Sequence, residues 1–168
     1  MVTSGARQVD DGRPARPGGR RAARLAAVQA IYQLDAAGGA VEQVLTEFVR
    51  HRIDSPEGEE AYAGADRALF ADIVRGVGER RAALDEMIAA ALAEGWTLGR
   101  LDRVLRAILL AGAYEIVART DIPPRVVISE YIDLAHAFFD GREPGMVNGV
   151  LDRLAHVVRP DELGDGRP

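Results

Sequence analysis

The sequence has 168 residues, of which 48% are hydrophobic and none is cysteine, and its formal net charge is -5. Without cysteine the chain has no disulfide, no thiolate nucleophile and no cysteine-based zinc site. All 21 basic residues are arginine, which excludes the lysine of a P-loop and a Schiff-base lysine.

The N-terminal segment differs in charge and composition from the rest of the chain. Residues 1–24 contain six arginines and two aspartates, a net charge of +4, which leaves -9 for the remainder. Residues 1–19 carry almost no apolar side chains, so they are predicted to form a disordered basic arm. The folded part is predicted to start at residue 20, and residues 160–168 to form a flexible tail.

Apolar side chains at helical spacing predict the first helices in chain order. The first helix runs from residue 20 to the Gly38-Gly39 pair, and the second from residue 41 to about residue 52. Residues 69–77 mark a third helix, which the stripe over residues 84–92 extends or follows. The sequence Gly95-Trp96-Thr97-Leu98-Gly99 then interrupts the periodicity. We place a subdomain boundary there, with three helices before it, so that the subdomains span residues 20–94 and 95–159.

The second half of the chain has the same periodicity. Residues 101–116 carry an apolar stripe wide enough for a central, mostly buried helix. Pro123-Pro124 restarts the chain for a helix that ends near Phe138, and Glu143-Pro144 starts a last helix that ends near residue 158. Nowhere does a period of two compete, so the predicted fold class is all-α.

Metal, catalytic and membrane chemistry find little support in the sequence. His51, His136 and His156 lie far apart and form no metal-ligand pattern. The motifs of acyl transfer, dinucleotide binding and zinc hydrolysis are missing. The longest apolar run, residues 107–114, is too short to span a bilayer. We therefore expect a cytoplasmic protein that is not an enzyme and needs no cofactor or metal.

Three arginines occupy the start of the first helix, where the helix dipole favours acids instead. Guanidinium groups pair with phosphate in bidentate fashion and stack on bases, which suits RNA recognition. Arg20 and Arg24 fall on the same side of the helix as Val28 and Ile31, so both are predicted to project beyond the core along one face. The alternative is that Arg20, Arg21 and Arg24 only keep an exposed helix end soluble.

Four segments in order resemble the NusB family of bacterial transcription antitermination factors, over about residues 20–158. They are RRAARLAAVQAIYQLD, FADIVRGVGERRAALDEMI, RAILLAGAYEIVARTDIPPRVVISEYIDLAHAFF and MVNGVLDRLA. The resemblance implies a seven-helix bundle of two subdomains, with three helices and then four. It also implies binding of the boxA element in ribosomal RNA leader transcripts, together with the small-subunit ribosomal protein NusE. NusA, NusG and RNA polymerase complete the family's larger complex.

The resemblance assigns roles to individual positions of this sequence. RNA contacts fall on the N-terminal arginines and on the loop before the last helix, residues 138–146. NusE contacts fall on the first helix, where Tyr32 is either a core residue or a partner contact, and on the start of the central helix. The residues are Arg20, Arg21, Arg24, Phe138, Arg142 and Met146 for RNA, and Tyr32, Leu105 and Arg106 for NusE.

The chain departs from the family pattern beside both sites. Met146 and Gly145 replace a common phenylalanine and lysine, while Arg142 replaces a common acid and restores a charge. Leu105 stands where an acid is usual.

Two other functions are compatible with the sequence. The same helical domain occurs fused to ribosomal RNA cytosine methyltransferases, so the chain could be a detached RNA-binding module of that kind. It could also be a homodimeric scaffold whose arginine face is covered until RNA binds. Monomer and homodimer both remain open.

Overall fold

Seven α-helices form the fold in the computed structural model, which describes residues 18–55 and 58–164. They are α1 (Gly19–Ala37), α2 (Val41–Phe48), α3 (Arg67–Glu79), α4 (Arg81–Ala91), α5 (Arg103–Ala118), α6 (Pro124–Phe138) and α7 (Glu143–Val158). A π-helical turn, Val49–Ile53, continues α2, and 3-10 turns occur at Glu60–Tyr62, Leu98–Arg100 and Pro160–Glu162. These two ranges contain no strand, so the all-α prediction is confirmed.

Local side-chain chemistry explains where several helices begin and end. The carboxylates of Asp66 and Asp102 accept hydrogen bonds from backbone amides in the first turns of α3 and α5. Amides in a first turn have no carbonyl partner within their own helix. Pro124 and Pro144 lie in the first turns of α6 and α7, where a proline sacrifices no helical hydrogen bond. α1 stops at Gly38, whose φ of 73° favours glycine.

The central helix of the bundle is α5, as its wide apolar stripe predicts. Ten of its side chains and the glycine between them are buried, over Leu105 and residues 107–116. α5 packs against α1, α3, α4, α6 and α7. The core therefore lies around α5, and the other helices form a layer that separates it from solvent.

The number of helices before the turn at Gly95 differs from the prediction. The stripe over residues 84–92 forms a separate helix, α4, so four α-helices precede the turn and three follow it. α4 packs mainly on α5 and α7 and only slightly on α3. By these contacts α4 groups with the later helices, which gives three helices and then four. The subdomain limits themselves stay a prediction.

Two glycines allow neighbouring helices to approach closely. A Cβ added at Gly112 of α5 would lie 2.9 Å from a Leu151 methyl group, and one at Gly76 of α3 would lie 2.0 Å from the Tyr114 ring. Both distances are shorter than a van der Waals contact, so any larger residue would push these elements apart.

The predicted tail is partly packed against the bundle. Leu163 is buried, and Arg125 of α6 donates a hydrogen bond to its carbonyl oxygen. Residues 1–17 of the predicted arm and 165–168 of the predicted tail lie outside the described residues.

Candidate nucleic-acid interface

The first turn of α1 presents two arginine side chains to solvent. Arg20 is exposed and, among residues 18–55 and 58–164, makes no side-chain hydrogen bond or ion pair. Arg21 is also exposed, with 59% of its side-chain surface accessible. The first turn contains no acid, and Gly18 at the N-cap offers no side chain to its free amides. In its first turn α1 itself therefore contributes only positive charge.

The guanidinium of Arg21 is held by two carboxylates of α6. Its Nε donates to Glu130 Oε2 at 3.3 Å, and its Nη2 donates to Asp133 Oδ2 at 2.8 Å. Hydrogen bonding to Glu130, followed by the charge of that carboxylate, raises the pKa of Arg21 above its usual value. Arg21 is therefore a permanent cation that is already paired in the free protein.

The structure corrects the prediction for Arg24, whose side chain is only 3% exposed. Its Nε donates to Glu115 Oε2 and its Nη2 to Glu115 Oε1, both at 2.9 Å. Tyr131 of α6 donates its hydroxyl hydrogen to the same carboxylate. A guanidinium enclosed in this way cannot reach a phosphate. Arg24 instead joins α1 to α5 and α6.

Burial shapes the titration of this cluster. Removal from water raises the pKa of Tyr131 well above its ordinary value, and the charge of Glu115 raises it further. Tyr131 therefore keeps its proton and donates a hydrogen bond to the carboxylate. The result is a buried carboxylate with donors on both oxygens, as a charge inside a protein requires.

The loop between α6 and α7 places two of its three predicted RNA residues at the surface. Phe138 is exposed at the end of α6. Arg142 is exposed, and its guanidinium carbon lies 5.3 Å from the centre of the Trp96 ring. Met146 is buried against the core, so it offers no surface to RNA, and the prediction for it is corrected.

The predicted NusE residues also separate into accessible and buried positions. Tyr32 is 37% exposed, whereas Leu105 is 1% exposed and faces the core of α5. Leu105 therefore cannot contact a partner, which corrects that prediction. The sequence left the place of Tyr32 open, and the structure puts it at the surface.

A charged network joins the end of α1 to Arg106. Arg106 Nη2 donates to Asp85 at 3.1 Å. The same carboxylate accepts from Arg81, whose Nη1 also donates to Asp35 at 2.7 Å. Asp35 lies one turn after Tyr32, so the network links the end of α1 that carries Tyr32 to Arg106 of α5. Asp85 Oδ1 and Arg106 Nε are enclosed and have no partner among the described residues.

Four residues of these clusters were missed by sequence reasoning: Glu115, Glu130, Tyr131 and Asp133. Glu115 gives a signal in the sequence, because it is the only acid in α5, a helix that is otherwise largely apolar. An acid in such a helix needs a buried cation. The carboxylates around Arg21 give no such signal, since α6 mixes polar and apolar residues as surface helices do.

The described residues form neither a metal-ligand cluster nor a membrane-spanning helix. His51, His136 and His156 are each exposed, and within residues 18–55 and 58–164 no group of three histidine or acidic residues could hold a metal. In those ranges, too, no helix combines the length and apolar character needed to cross a membrane.

Comparison with known sequences identifies similar proteins along most of the chain. The sequence model of the NusB family matches residues 21–156. The transcription antitermination protein NusB of Rhodopseudomonas palustris strain BisB18 is 49% identical over 147 residues, which cover 88% of this chain and 87% of that protein. The protein of the same name from Sphingopyxis alaskensis is 52% identical over 140 residues, covering 83% and 94%.

Solved structures agree with the sequence relatives. NusB of T. maritima superposes with a TM-score of 0.70 at 29% identity, covering 86% of this chain and 96% of that chain. A complex of the antitermination factors NusB and NusE with double-stranded RNA gives a TM-score of 0.67 at 22% identity, covering 82% and 96%. At that identity the second likeness shows the fold alone.

Proposed function

This chain belongs to the NusB family, and from that premise we propose that it binds boxA of ribosomal RNA leader transcripts together with NusE. In this role it supports processive elongation by RNA polymerase in the cytoplasm, with NusA and NusG in the larger complex. The observation that carries the proposal is the pair of exposed arginines, Arg20 and Arg21, in the first turn of α1.

Arginine is the side chain best suited to this contact. Its planar guanidinium matches two phosphate oxygens at once and keeps its charge at every physiological pH. Arg20 is unpaired within the described residues, so it is available to a phosphate without any rearrangement.

The end of α6 extends the proposed RNA surface. Asp133, which contacts Arg21, is five residues before Phe138, or about 7.5 Å along the helix. An exposed aromatic ring at that distance suits an unstacked base of single-stranded RNA, and Arg142 supplies a further cation beyond it. We assign Phe138 and Arg142 to RNA together with Arg20 and Arg21.

The NusE surface is proposed to lie at the other end of α1. Tyr32 follows Arg21 by eleven residues, or about 16 Å of helix. That separation allows RNA and a protein partner to occupy α1 together. Tyr32 and the exposed part of Arg106 form the partner surface in this proposal, and Arg24 anchors the helix between the two ends.

The test replaces both exposed arginines and measures boxA binding in the presence of NusE. R20A/R21A should lower the affinity roughly tenfold to a hundredfold, because two charge-assisted contacts are lost. The slope of log K against log salt should become shallower by about 1.4, or 0.7 per phosphate contact to a single strand. Fluorescence anisotropy of labelled boxA RNA provides both values.

R75A is the matched control. Arg75 of α3 is also an exposed arginine, but it pairs with Glu42 of α2 and lies outside the proposed RNA surface. It should leave RNA affinity near that of the parent. Thermal melts verify that each variant is folded. Equal boxA affinity of R20A/R21A and the parent would overturn the assignment of the arginines, and affinity unchanged by adding NusE would overturn the cooperative part.

A further inference from the structure

Arg21 is both a proposed RNA ligand and a residue whose hydrogen bonds are already in use. Its Nε and Nη2 form one edge of the guanidinium, and both atoms donate to carboxylates of α6. A phosphate can bind along such an edge with two parallel hydrogen bonds. Arg20, one residue earlier, has no such partner in the described residues.

The two carboxylates differ in how firmly they are placed. Glu130 is 24% exposed, and its Oε2 also lies 3.9 Å from Nη1 of the buried Arg24. It is therefore fixed by the cluster that joins α1 to α6. Asp133 is 51% exposed, and Arg21 is the one cation with which it pairs among residues 18–55 and 58–164. Asp133 is thus free to give up its contact without disturbing the core.

We propose that Asp133 acts as an internal competitor of RNA: together with the fixed Glu130 it occupies one edge of the Arg21 guanidinium, until an RNA phosphate displaces Asp133 from Nη2. This proposal rests on the proposed function, because it concerns the same arginine. Binding then becomes an exchange of one anion for another at a guanidinium that never loses its charge. Asp133 is a residue that sets affinity although it does not contact the RNA.

The exchange explains why the acidic pair can coexist with an RNA surface. A carboxylate beside a phosphate-binding arginine weakens binding, since its contact with the guanidinium has to be broken before a phosphate can take its place. In return, the pair holds the Arg21 side chain over α6. An exposed ion pair of this kind changes an equilibrium by about 1.4-fold to fivefold, which is enough to tune affinity and too little to abolish it.

The experiment measures boxA affinity, with NusE present, for D133N and for D133N combined with R21A. D133N removes the charge and keeps the shape of the side chain, and it should tighten binding about two- to fivefold. E42Q is the matched control because Glu42 also carries an exposed ion pair, to Arg75, at the far end of α1. It should leave the affinity unchanged.

The double variant separates displacement from simple repulsion. If Asp133 competes for Arg21, then D133N has no effect once Arg21 is alanine, so R21A/D133N and R21A should bind equally. An equal gain from D133N with and without Arg21 would overturn the proposal, as would an unchanged or weaker affinity of D133N.

These outcomes are distinct from failure of the proposed function. The comparison of R21A with the parent tests whether Arg21 contacts RNA, whereas the comparison of D133N with the parent tests whether a carboxylate occupies it. Weaker binding by R21A with no gain in D133N would leave the proposed function intact and refute the competition.

Discussion

Replacing Arg24 by methionine should destabilise the protein far more than any change at the exposed arginines. The guanidinium is 3% exposed and makes two hydrogen bonds of 2.9 Å to Glu115, which is fully buried. Methionine fills a similar volume but leaves the carboxylate without its cation. Removing one partner of a buried pair costs about 3–5 kcal/mol. For a chain of this size the melting temperature should fall by about 6–20 °C.

Urea unfolding followed by circular dichroism at 222 nm measures this loss, with R21M as the control on the same helix. R21M should change the free energy of unfolding by less than about 1 kcal/mol, since its ion pairs are exposed. The double variant R24M/E115Q should recover at least half of the loss, because glutamine carries no charge and still accepts the hydrogen bond from Tyr131. A loss below about 1 kcal/mol in R24M would refute the reasoning.

Three further predictions concern other parts of the bundle. Tyr131 holds its proton to a higher pH in the folded than in the unfolded protein. The stability that its raised pKa contributes is therefore complete below about pH 10 and is lost as the pH rises above that value. Y131F should make the decline of unfolding free energy above pH 10 shallower by about 1.4 kcal/mol per pH unit in alkaline urea titrations. G76A should lower the melting temperature, because its Cβ would lie 2.0 Å from the Tyr114 ring and overpacking costs about 1–3 kcal/mol; an unchanged melt would contradict this. R142A should alter the emission of Trp96, the single tryptophan. RNA should shift the same emission in the parent but not in R142A.

Most helices could be predicted from the sequence because each carries an apolar stripe at helical spacing. The stripe of α5 even indicated its central position, since it is too wide for a helix with one solvent-facing side. The division of α3 from α4 was less evident. One residue, Arg80, separates the two helices, no proline marks that break, and the nearest glycine, Gly78, lies inside α3.

The sequence predicts which kind of side chain forms the candidate site, namely arginine, but it predicts only in part which of these side chains are exposed. Arg24 lies on the same side of α1 as Val28 and Ile31, and that side turned out to be the core. Helical geometry gives the direction of the side chain correctly, but a charge on that side does not imply exposure when a buried carboxylate pairs with it. Its partner Glu115 is 91 residues away, a distance over which periodicity carries no information.

Tertiary packing also decided the outcome at the other corrected residues. Leu105 and Met146 were placed by alignment with a family pattern, which gives position in the chain but not exposure. Both are apolar side chains in the first turn of a helix that packs into the core.

The contact between Arg24 and Glu115 has a consequence for the time at which the protein becomes functional during its synthesis. At about 5–20 residues per second, a ribosome needs about 5–18 s to add the 91 residues between them. Until α5 has left the ribosome, α1 is a nascent segment whose arginine has no buried counter-ion. The first helix to be synthesised is therefore among the last to be anchored to the bundle.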